Sequence, residues 1–157
     1  MAIALWDNGT QAIAEHSDWI RGQCEAGRQV LVVDLPGTGT LEQTQLWHYK
    51  GTLYKVCCDL FYMDDSMGAM QTYHLLRTVD MLREVLHLND ISFYCDGCEG
   101  VYGIMAGYLG GLPREYGKNL LCSVDKQIIL ERPRCQDLHL QTIIPGMLEF
   151  FDYDELM

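Results

Sequence analysis

A chain of 157 residues, 48% hydrophobic and 21% charged, fits one domain with a core of its own. A formal net charge of −11, with only eleven Lys and Arg, argues against a nucleic-acid partner, which needs a basic patch. No apolar run approaches the roughly 20 residues of a membrane helix and no signal peptide opens the chain, so cytoplasmic residence is expected. Seven cysteines (Cys24, Cys57, Cys58, Cys95, Cys98, Cys122 and Cys135) make an odd set. Several lie in apolar runs, which suits reduced thiols better than a disulfide scaffold.

Ala2 to Trp6 reads as a short buried strand, and Asp7-Asn8-Gly9 as the turn that follows it. From Thr10 to about Ala26, Ile13, Trp19, Ile20 and Cys24 recur at broadly helical spacing, with Gly27 as the stop. Gln29 to Asp34 is the strongest strand signal. Its continuous β-branched character suits a parallel strand covered on both faces. Pro36-Gly37-Thr38-Gly39-Thr40 breaks into a loop, and Leu41 to Tyr62 suggests a short helix.

Ser66 or a neighbour caps a long helix to about His87, whose apolar stripe is Met70, Tyr73, Leu76, Val79, Leu82 and Leu86. Ile91 to Tyr94 forms the next strand, and a helix from about Glu99 to Leu109 ends at Gly110-Gly111. Asn119 to Val124 and Gln127 to Glu131 are further extended candidates. A helical tail from about Leu138 to Tyr153 is interrupted at Pro145-Gly146. The alternation predicts an α/β fold, a three-layer αβα sandwich with a mostly parallel sheet over residues 1–157. Ligands in such folds sit beyond the carboxyl ends of the strands. The candidate crevice is therefore Asn8, Gly9, Gly37, Gly39, Asp96, Gly97 and Glu99.

The segment Ile91 to Ile104, with Tyr94-Cys95-Asp96-Gly97-Cys98-Glu99-Gly100 at its centre, has the small residues of a nucleophile elbow. Val30 to Gly39, the helix from Met67 to Leu86 and this elbow follow one another in the order of α/β-hydrolases. The tail Ile143 to Leu156 is similar to a segment of acetyl xylan esterase-like members. The chain thus resembles the central part of an α/β-hydrolase, with Pro36 where the family usually has arginine. The resemblance implies esterase ancestry, a small ester or carbohydrate-related ligand and no cofactor. It also implies a serine–acid–histidine triad, whose last two members would align beyond Met157.

Three registers fit the elbow. One puts Gly97 in the serine slot and leaves no nucleophile. A second centres Cys98, as dienelactone hydrolases centre a cysteine, and a third centres Cys95. A helix N-terminus lowers a thiol pKa, whereas Asp96 and Glu99 oppose that shift. Cys95-Asp96-Gly97-Cys98 is also a Cys-x-x-Cys motif of thiol redox type. No second ligand pair of matching spacing supports zinc. His16, His74 and His87 read as ordinary helix residues, while His48 and His139 stand in less regular stretches that could approach the crevice. Leu35-Pro36-Gly37-Thr38-Gly39 matches a sortase pattern but reads as a strand-end loop. The expected role is non-catalytic binding or assembly, with a homodimer covering a sheet edge. The alternatives are an esterase-like hydrolase using Cys98 or Cys95, completed by another chain or segment, and a dithiol redox protein.

Overall fold

The computed structural model describes residues 1–41, 51–120 and 144–157. Among the described residues four strands, β1 (Ala2–Leu5), β2 (Val30–Val32), β3 (Ser92–Cys95) and β4 (Arg114–Tyr116), form a parallel sheet in the order β2-β1-β3-β4. The helices are α1 (Ser17–Glu25), α2 (Gly51–Tyr62), α3 (Met67–Glu84) and α4 (Gly100–Gly110). Short 3₁₀ turns stand at Gly9–Ala12, Gly39–Leu41, Met147–Glu149 and Tyr153–Leu156. The α/β character expected from the alternation of strands and helices is present.

Register assigns the two sheet faces. Ile3 lies beside Leu31 and Phe93, and Leu5 beside Cys95. Side chains alternate along each strand, so these residues share one face. They pack with Leu75, Val79 and Leu82 of α3 and Val101, Ile104 and Ala106 of α4 in the larger core. On the opposite face Ala4, Trp6 and Tyr94 form a smaller cluster with Ala12, and with Trp19 and Ile20 of α1. Trp19 stacks on Tyr94 at 4.1 Å between ring centroids, and His16 stacks on Trp6 at 4.0 Å.

Several local expectations are corrected. Among the described strands β2 stands at one end of the order, and all three of its residues are only half-buried, not fully buried as a strand covered on both faces would be. The first helix begins at Ser17 because Asn8 (φ 63°) and Gly9 (φ 47°) turn left-handed and lead into a 3₁₀ turn. Ser66 does cap α3, its Oγ accepting from Ala69 N at 3.1 Å. The buried stripe of α3 is Gln71, Thr72, Leu75, Val79 and Leu82, whereas Tyr73 is 60% exposed and Leu86, past the helix end, is 54% exposed. Gln71 and Thr72 disguised that face because polar groups buried there bond to backbone. Gln71 Nε2 donates to Pro36 O at 2.5 Å and Thr72 Oγ1 to Gly68 O at 2.8 Å.

β4 gave no sequence signal, since Arg-Glu-Tyr is short and polar, yet it pairs with β3 from Phe93 to Cys95. The tail folds as two 3₁₀ turns instead of an interrupted helix over its described part. Leu121 to Val124, 127–131, 138–143 and His48 lie outside the described residues, as does His139. No helix among the described residues is long and apolar enough to cross a membrane.

Candidate functional site at the strand ends

The elbow is built as its residues dictate. β3 ends at Cys95, and Asp96 N donates to Leu5 O at 2.9 Å, extending the ladder by one residue. Gly97 then takes φ 65°, a conformation that side chains with a Cβ adopt at a cost. α4 follows directly. Its close approach to β3 depends on small residues: a Cβ at Gly100 would lie 3.0 Å from the Cys95 carbonyl carbon, and one at Gly103 would lie 2.6 Å from Cys95 Sγ. The bend from parallel strand to helix is therefore present at the expected residues.

What fills the bend is a carboxylate from the neighbouring strand end. Asp7 Oδ1 accepts from Cys98 N at 2.8 Å and from Glu99 N at 3.1 Å. These amides belong to the turn that leads into α4, at the positive end of the helix dipole, which favours an anion. A Cβ at Gly97 would stand 2.5 Å from the Asp7 carboxyl carbon. Asp7 thus occupies the space above the turn as well as its donors.

The same device recurs along the sheet. Asp34, after β2, accepts from Thr10 N at 2.6 Å, Thr40 N at 3.0 Å and Thr40 Oγ1 at 2.6 Å, and also from Thr10 Oγ1. Burial by itself would raise the Asp34 pKa; the four hydrogen bonds outweigh it and hold the carboxyl below its ordinary value. Gly9 and Gly39 close around this carboxylate: a Cβ on either would lie 2.0 and 2.3 Å from Asp34 Oδ1. Asp96, after β3, accepts from Asn119 N at 2.8 Å and packs where a Gly117 Cβ would fall.

The crevice residues named from sequence do gather at the carboxyl ends of the strands, but in separate closed clusters. Gly9 and Gly39 surround Asp34, Gly97 and the Glu99 amide meet Asp7, and Asp96 faces the segment after β4. Asn8 is exposed in its left-handed turn, and Gly37 N donates to Leu41 O at 3.3 Å within its own loop. Asp34 is not among the residues expected at the crevice, and Asp7 enters that expectation only as part of the turn Asp7 to Gly9 after β1. The signal was available, since β1, β2 and β3 are each followed within two residues by aspartate.

The two thiols fare differently. Cys95 is fully buried on the larger-core face, and desolvation pushes its pKa up to about 12 despite Arg114. It points into packed side chains and cannot meet a substrate in this fold. Cys98 is half-buried; desolvation first, then the charges of Asp7 and Glu99, raise its pKa to about 11. Both thiols are free. A dithiol redox centre needs an accessible thiol of lowered pKa, and this pair offers the opposite. Beside the elbow, Tyr102 and Tyr153 are buried with titration pushed upward by desolvation, each next to a carboxylate (Glu99 and Asp152 respectively).

No three His, Cys, Asp or Glu side chains among the described residues are arranged to hold a metal ion. Comparison with protein-family models, with curated proteins and with solved structures gives no match to this chain.

Proposed function

We propose that this chain is an α/β-hydrolase-like domain of esterase ancestry whose elbow has become a structural joint, serving non-catalytic binding or assembly. The observation that carries the reading is the Asp7 carboxylate on the Cys98 and Glu99 amides. In α/β-hydrolases the N–H after the nucleophile helps form the oxyanion hole, with a second N–H from a neighbouring strand-end loop. With Gly97 in the nucleophile slot, the corresponding N–H belongs to Cys98, and a negative charge already accepts it. An oxyanion developing there would meet repulsion in place of the stabilisation that acyl transfer requires.

The esterase alternative rests on Cys98. A thiol with a pKa of about 11 is ionised to roughly one part in ten thousand at pH 7. Incubation with short aryl acetates, comparing wild type with Cys98→Ala and Cys95→Ala, separates the readings. All three are expected at the buffer rate; turnover lost in Cys98→Ala would establish the esterase.

The assembly role is supported by the contrast between the two end strands of the described sheet. β2 presents Val30, Leu31 and Val32 without a charge, whereas β4 carries Arg114 and Glu115. Charged residues discourage edge-to-edge pairing, and their absence from β2 favours a second copy of this chain against that edge. Light scattering is expected to give a dimer. A wild-type monomer at high concentration would rule the dimer out. The free thiols Cys24, Cys57, Cys58, Cys95 and Cys98 favour the reducing cytoplasm, and the ancestry favours a small ester or carbohydrate-related ligand.

A further inference from the structure

We draw no further inference here: the strongest candidate, the two buried side-chain atoms Gln71 Oε1 and His74 Nδ1 on α3, neither hydrogen-bonded among the described residues, carries nothing because no second feature beside them points to a ligand.

Discussion

Asp7 and Asp34 close neighbouring strand ends by the same chemistry, but they are held to different degrees. Asp34 is half-buried and takes four hydrogen bonds from two threonines, two of them from backbone amides. Asp7 is exposed and takes two, both from amides of the turn just before α4. A carboxylate with many donors and little water is fixed in place; one with few donors and free access to water can swing away at small cost. The Asp34 carboxylate is thus tied to its loops by more bonds than the Asp7 carboxylate is to the elbow.

Adding the same methyl group at both staples exposes this difference most strongly. Gly39→Ala puts a Cβ within 2.3–2.8 Å of all three carboxyl atoms of Asp34 at φ 51°. Because Asp34 cannot move without breaking four bonds, the expected loss is about 3 kcal/mol. Gly97→Ala meets Asp7 at 2.5–2.6 Å and φ 65°. Asp7 can leave toward solvent, so about 2 kcal/mol is expected, most of it backbone strain. Urea unfolding of the two variants measures the gap; equal losses would remove the distinction.

A smaller effect separates the carboxylates themselves. Asp34→Ala is expected to cost about 2 kcal/mol, and Asp7→Ala about 1 kcal/mol, the usual worth of a helix-capping acceptor. Acid sharpens the contrast. The folded-state pKa of Asp34 lies below its unfolded value. Its stabilisation is complete above the ordinary carboxylate range and is lost as pH falls through the lower folded value. Wild-type urea midpoints should therefore fall below about pH 4 more steeply than those of Asp34→Asn. Parallel curves would mean that Asp34 contributes nothing through its charge.

Much of this architecture was legible in the sequence. Apolar runs at Ala2–Leu5 and Ile91–Tyr94, the Ser66 cap and the small residues from Gly97 to Gly103 each state a local preference that the fold keeps. Illegible features were those decided by distant partners. Gln71 reads as a surface residue until Pro36 O is brought to its amide, and Arg114–Tyr116 becomes a strand only because β3 offers it a ladder. The place of β2 beside β1 in the described sheet likewise follows from strand order, which a run of Val and Leu does not encode. At the site, the bend could be read from its glycines. The occupant of the bend could not, because Asp7 stands 91 residues before the Cys98 amide that it binds.

Chemical reactivity of Cys98 tests the closed elbow most directly. Iodoacetamide labelling of the native chain, followed residue by residue by mass spectrometry from pH 6 to 11, reports the thiolate of each cysteine. Cys98 should label slowly at pH 7, with a rate that keeps rising toward pH 11, while Cys95 stays protected throughout. A Cys98 profile that reaches its plateau below about pH 7 would show a thiolate stabilised by the amides assigned here to Asp7, and would contradict the account.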